Sequence, residues 1–198
     1  HWVNDPPRLD TVAQIISFPR MPSCTTSSSR IYGTSHCELA KQCGVTVNSI
    51  LLIGGGGHCR SCIDVIETEG KYIIAGIVCQ PRGDREPVLG YKVLGDDEDL
   101  PELFKIYKFA LISVGQIKSP ALRKRLYMQT QNVGFELPTI ISPRAYVSQY
   151  ARLGVGTIVM HDALVNAGAK VGNNCIINTK SLVEHDAIVE DHCHISTS

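Results

Sequence analysis

From Ile141 to the end of the chain an aliphatic residue recurs at every sixth position: Ile141, Val147, Leu153, Val159, Val165, Val171, Ile177, Val183, Val189 and Ile195. Four residues after each of the first nine stands a small one: Ala145, Ala151, Thr157, Ala163, Ala169, Cys175, Ser181, Ala187 and Cys193. A helix repeats its apolar face about every 3.6 residues and a strand every second residue, so neither demands this double register. It predicts a β-solenoid of hexapeptide repeats over 138–198, in which aliphatic side chains fill the core and small ones fit tight interior positions.

Upstream the pattern changes. "SILLIGGGGHCRSCIDVIETEG" reads as an apolar strand, a glycine loop and an amphipathic helix with Cys62, Val65 and Ile66 at helical spacing. "KYIIAGIVCQ" and "FALISVG" are further apolar strands. "YKVLGDDEDLPELFKIY" is a short strand and a helix led by acidic residues, which suit a helix N-terminus. "SPALRKRLYMQTQNV" opens on Ser-Pro, read as an N-cap and first helical position. Strands alternating with helices predict a small Rossmann-like parallel α/β domain over 49–137. Residues 1–48 are rich in Pro, Ser and Thr and read as an extension or linker of unknown role. Within them, "SHCELAKQCGVTVNSI" has the look of the opening of a helix-turn-helix. A strand and glycine loop follow where a recognition helix would be needed, so the linker reading is preferred.

Composition narrows the function classes. Lys+Arg and Asp+Glu both number 19, so charge gives no reason to expect a nucleic acid or anionic membrane as partner. No apolar run approaches the ~20 residues of a membrane span, and no signal peptide pattern opens the chain. Eight cysteines spread over 198 residues read as free thiols in a reducing, cytoplasmic protein, not as a disulfide scaffold.

The motifs "LLIGGGGHCRS", "VLGDDEDLPELF", "ISVGQIKSPALRKRL" and "IINTKSLVEHDAIVEDHCHIS", with the repeats between, resemble hexapeptide-repeat acyltransferases with a left-handed parallel β-helix. More narrowly they resemble the bacterial sugar acetyltransferases that include sialic-acid O-acetyltransferases and N-acetyltransferases of nucleotide-linked 4-amino sugars. The resemblance spans about 49–198. It implies homotrimers, acetyl-CoA as donor, active sites between neighbouring β-helices, and three hexapeptides per coil, so that Val165 and Val183 stack. It also implies further C-terminal coils beyond Ser198 completing the CoA site, so the chain reads as C-terminally truncated.

Val183 inward and Ala187 in a small interior slot place Glu184, His185 and Asp186 at a corner. Acetyl transfer needs a base for the nucleophile's proton, which histidine supplies and a neighbouring carboxylate can orient. By resemblance His185 is that base, with Asp186 in the acidic place beside it. Asn178 matches the family's active-site asparagine, and His194 the histidine near the thioester or pantetheine. The resemblance makes the glycine loop the nucleotide-sugar site, with Gly56, Gly57 and His58 near sugar or phosphate and Arg60 able to pair with phosphate. His192 has no counterpart and is expected at the surface; His161, in the same hexapeptide position as His185, is expected to be structural.

Other chemistries are weaker. A zinc site from His185, His192, Cys193 and His194 fails because Cys193 should turn inward, away from its neighbours, so no metal is expected. The Cys59-Cys62 pair lacks a thioredoxin-like context and reads as buried helix cysteines. Many relatives have an acidic pair after the second strand; here Cys79 and Gln80 stand instead, which leaves the nucleotide and sugar open. Three functions remain: N-acetylation of a nucleotide-linked amino sugar, O-acetylation of sialic acid or a related sugar, or a non-catalytic trimeric nucleotide-sugar-binding scaffold.

Overall fold

Strand β1 (Asn48–Ile53) is buried on both faces because it lies inside a sheet covered on both sides. In the computed structural model, which describes residues 48–80 and 86–198, it pairs with β2 (Tyr72–Val78) and β4 (Phe109–Ile112), while β3 (Val93–Gly95) flanks β2. All pairings are parallel and the order is β3-β2-β1-β4. Alternate residues of β1 serve two cores. Ile50 and Leu52 meet helix α1 (Gly57–Glu69), and Leu51 and Ile53 meet helix α3 (Ala121–Val133).

The acidic run "DDED" forms a 3₁₀ turn (Asp97–Asp99) before the short α2 (Leu100–Phe104), and Asp96 accepts from the Glu98 amide at 2.9 Å. The Ser-Pro step sits one residue earlier than expected. Helix α3 starts at Ala121, whose amide donates to the Ser119 hydroxyl at 3.2 Å, and Pro120 becomes the cap.

Beyond Ile140 the chain makes two-residue strands that stack into three faces. One face holds β5 (Ile140–Ile141), β8 (Ile158–Val159), β11 (Ile176–Ile177) and β14 (His194–Ile195); the second holds β6 (Tyr146–Val147), β9 (Leu164–Val165) and β12 (Leu182–Val183). The third holds β7 (Arg152–Leu153), β10 (Lys170–Val171) and β13 (Ile188–Val189). Pairing is parallel with residues eighteen apart in register, Val165 on Val183 among them. The interior is built from both expected registers, including Val159, Ala163, Val165, Ala169, Cys175 and Ile177. A third register emerges at the corners. Gly156, Asp162, Gly168, Asn174, Lys180, Asp186 and His192 all have φ between 53° and 75°. Glycine adopts this left-handed conformation freely and Asn, Asp and His tolerate it best, so turn geometry favours them at this register, with Lys180 the exception.

The first face is the seam with the α/β region. Its outward ladder Ile140, Ile158 and Ile176 is fully buried against Cys59, Cys62, Ile63 and Ile66 of α1. The two thiols therefore belong to a hydrocarbon core. Burial pushes Cys59 up to about 11 and Cys62 up to about 12, so both stay protonated.

His161 latches the same seam. Asp64 of α1 accepts from its Nε2 at 2.8 Å, and the Ser142 hydroxyl donates to Nδ1 at 2.6 Å. The order Ser-His-Asp is that of a hydrolase triad, but Ser142 is only 1% exposed, out of reach of any substrate. Its role is docking. His161→Ala should lower unfolding free energy by about 1 kcal/mol in urea denaturation, the usual worth of such hydrogen bonds. An unchanged midpoint would mean the latch adds nothing.

Candidate active site

His185 and Asp186 form the corner between β12 and β13, where the chain turns with Asp186 at φ 58°. Asp186 Oδ2 accepts from His185 Nδ1 at 3.0 Å, so the proton resides on Nδ1 and Nε2 is left as the basic nitrogen. The hydrogen bond to Asp186, then its charge, raises the His185 pKa above the ordinary imidazole value. The coil below supports the corner. Asn166 donates to Glu184 at 3.0 Å, and Glu184 in turn accepts from the His185 amide at 3.1 Å. Gly168 lies directly under Asp186; a Cβ there would fall 2.3 Å from Oδ1. The His185 side chain is 71% exposed, so among the described residues this imidazole is left open to solvent.

A second cluster lies on the seam, where the isoleucine ladder gives way to His194 in the fourth rung. His194 Nδ1 donates to the Gln116 carbonyl, and Asn178 Nδ2 donates to His194 Nε2 at 3.0 Å. The Thr179 amide occupies Asn178 Oδ1 at 2.8 Å, which sets the amide's orientation. Asn178 therefore holds His194, a partner the sequence did not suggest. His58, in the first turn of α1, faces the same spot. Burial, with the charges of Arg123 and His194, lowers its pKa to about 4, so it is a neutral imidazole near pH 7.

The glycine loop divides in two. Gly54, at φ 117°, would place a Cβ 2.3 Å from Val114 Cγ2, and Gly55 would meet Cys79 Sγ at 3.0 Å, so packing requires both. Gly56 and Gly57 have extended or helical backbone and open space in front of them. Arg60 is exposed one turn into α1. The loop after β4 forms the opposite wall, on the other side of the point where strand order reverses, the place where open α/β sheets bind ligands. A cleft of about 320 Å³ opens there between Gln116–Pro120 and His194 and Ser196. It does not include His185. Asn178 stands at the β11–β12 corner and His185 at the β12–β13 corner, at opposite ends of one face.

The comparisons fit this geometry. Residues 49–130 match the family model described as the PglD N-terminal domain. PerB from Caulobacter crescentus, solved with CoA and GDP-perosamine, is 35% identical with a TM-score of 0.67, covering 75% of this chain and 69% of that one. The acetyltransferase domain of PglB from Neisseria gonorrhoeae FA1090 is 30% identical with a TM-score of 0.66, covering 76% and 71%. The chain belongs to the nucleotide-linked amino-sugar N-acetyltransferases of the hexapeptide-repeat superfamily. WeeI from Acinetobacter baumannii AYE, at 16% identity and a TM-score of 0.62 over 73% of this chain and 68% of that one, shares the fold. A search of curated proteins finds no match.

This N-acetyltransferase has an α/β domain followed by a left-handed β-helix, as its family implies. One site expectation needs correcting. His192 does not lie free at the surface but is half-buried at an αL corner. Its ring lies edge-on to Tyr127 with centroids 5.3 Å apart, its Nδ1 is 2.9 Å from Asn174 Nδ2, and its carbonyl accepts from Gln116. Its position three residues after Val189 was the available signal. The stretch resembling a helix-turn-helix lies in residues 1–47, outside the described residues apart from its last three positions, which enter β1. Among the described residues no helix is long and apolar enough to cross a membrane. Gln116 and Arg123 went unread. Arg123 precedes Leu126, Tyr127 and Thr130 by three, four and seven residues, which places it on the buried face of α3.

Proposed function

We propose that this chain transfers the acetyl group of acetyl-CoA to the amine of a nucleotide-linked amino sugar, with His185 as general base. The observation that carries the reading is the His185–Asp186 pair, whose hydrogen bond leaves Nε2 to accept a proton. The acceptor amine enters neutral. His185 takes the proton the amine sheds as nitrogen bonds to the acetyl carbon, and returns it to the sulfur as the C–S bond breaks. Asp186 stabilises the transient imidazolium. His58 and the open backbone at Gly56 and Gly57 would receive the sugar nucleotide, with Arg60 toward its phosphates.

The cleft beside His194 suits part of the donor. At about 320 Å³ it lies at the low end of ligand pockets, which run ~300–1,000 Å³. Its hydroxyls at Ser119 and Ser196 suit an amide-bearing pantetheine arm beside His194, and Lys118 an attached phosphate.

A homotrimer completes the site. In one chain His185 and the His194–Asn178 cluster occupy different corners, so the base of one protomer would serve the cleft of its neighbour. The outward ladder of β6, β9 and β12 supports this: Tyr146, Leu164 and Leu182 form a stacked apolar stripe leading to the His185 corner, 60%, 36% and 50% exposed. Leu182→Asp should turn the assembly monomeric in analytical ultracentrifugation and abolish turnover. A trimer that survives the change assigns the interface to another face. The reaction is tested by thiol release from acetyl-CoA with a panel of nucleotide-linked amino sugars that includes GDP-perosamine, the ligand solved with PerB. Acetylation of none of them, with tight binding retained, would replace the enzyme by a binding module.

A further inference from the structure

The reaction as described leaves a fully buried charge unused. Arg123, in the first turn of α3, is fully buried, and its hydrogen bonds among the described residues go to carbonyls alone. Nη1 donates to Ile112 O at 2.6 Å and Val114 O at 2.8 Å, and Nε to Asn174 O at 3.2 Å. Burial lowers its pKa to about 10, so the guanidinium stays charged near neutrality. A buried cation whose hydrogen bonds go to carbonyls, with no carboxylate among them, is costly to stability, and a hydrophobic residue of similar volume would avoid that cost.

Its position shows what the charge does. Ile112 and Val114 bracket the exit of β4; two residues on, Gln116 O accepts from His194 Nδ1 and Gln116 Nε2 donates to His192 O at 2.9 Å. Asn174, the third acceptor, lies one coil below His192 and contacts its ring. One guanidinium thus holds both walls around His194: the loop after β4 and the β-helix corner. A carbonyl only accepts, so while this frame stands the His194 proton must sit on Nδ1, and Nε2 must face Asn178.

We propose that Arg123 and Gln116 are positioning residues for His194, clamping its ring as the Nδ1–H tautomer with Nε2 turned to Asn178. Their effect on turnover rests on the reading of His194 as part of the acetyl-CoA wall; the clamp itself does not. Loosening it would misplace a reacting contact, which lowers rate more than affinity.

The test is ¹⁵N NMR of the histidine side chains of the full 198-residue chain at pH 8.5, with steady-state kinetics on acetyl-CoA. Wild-type His194 should show the shifts of a single Nδ1–H tautomer. Gln116→Ala and Arg123→Met should each bring its two nitrogens toward averaged values, with kcat down about tenfold and KM for acetyl-CoA moving less than about twofold. Arg123→Lys, which keeps a donor near Val114 O, should restore the tautomer in part. Should Arg123→Met fail to fold, Gln116→Ala, on a half-buried residue, carries the test alone. Mixed tautomers in the wild type, or one unchanged tautomer in the folded variants, would overturn the proposal. A wild-type chain that acetylates no acceptor would instead defeat the acetyltransferase reading, and the NMR result would still decide the clamp.

Discussion

Replacing His185 with alanine should lower kcat by roughly 10²–10⁴, the usual contribution of a positioned acid–base group, while the melting temperature stays where it was. The two parts of this result follow from one geometry. The His185 side chain is 71% exposed, so truncation removes little buried contact, whereas its Nε2 is the nitrogen left free by Asp186. The pH profile gives an independent reading. Only the neutral imidazole can accept a proton, and Asp186 raises its pKa by hydrogen bond and charge. The acidic limb of kcat/KM should therefore lie above the ordinary value of ~6.5, with activity rising as pH increases through it. Asp186→Asn, which the αL corner accepts, should move that limb to lower pH and reduce the plateau. Undiminished turnover in His185→Ala, or an acidic limb unmoved in Asp186→Asn, would remove the pair from the mechanism.

Ile158→Ala should cost about 2–5 kcal/mol of stability, because the side chain is fully buried where the β-helix meets α1 and cannot be replaced by solvent. The lost methyl groups belong to one buried cluster with Cys62 and Ile63, and the next rungs, Ile140 and Ile176, pair with it on either side, all in regular elements that cannot collapse inward. Ile188→Ala is the control: it occupies the matching strand position on another face but is 67% exposed, and should stay within about 0.5 kcal/mol. Urea denaturation of both variants measures the difference. A cost below about 1 kcal/mol at Ile158 would mean the two regions do not share a core.

The six-residue register needed no structure to be read, because each hexapeptide buries the same two positions and a repeating geometry imposes a repeating demand on side-chain size. The corner at His185 and Asp186 was legible for the same reason: phase alone puts them outside the core. The apolar runs of β1, β2 and β4 were equally plain, since strands covered on both faces have few polar positions. Arg123 and Gln116 were not found. Three consecutive basic residues, Arg123, Lys124 and Arg125, look alike until helix phase and the packing of α3 decide which one is enclosed. The glycine loop was half legible; four identical residues differ in what stands opposite, Val114 and Cys79 for the first two and open space for the others.

By itself the sequence determined the coil, its interior and the parallel α/β sheet, since local periodicity and side-chain size suffice to choose which residues go inside. Tertiary structure alone decided that α1 docks on the isoleucine ladder and that His194 takes its fourth rung. It also decided that the carbonyl of Gln116, seventy-eight residues away, assigns that histidine its proton. A tautomer depends on whichever group lies opposite each ring nitrogen, and no period in the chain records that.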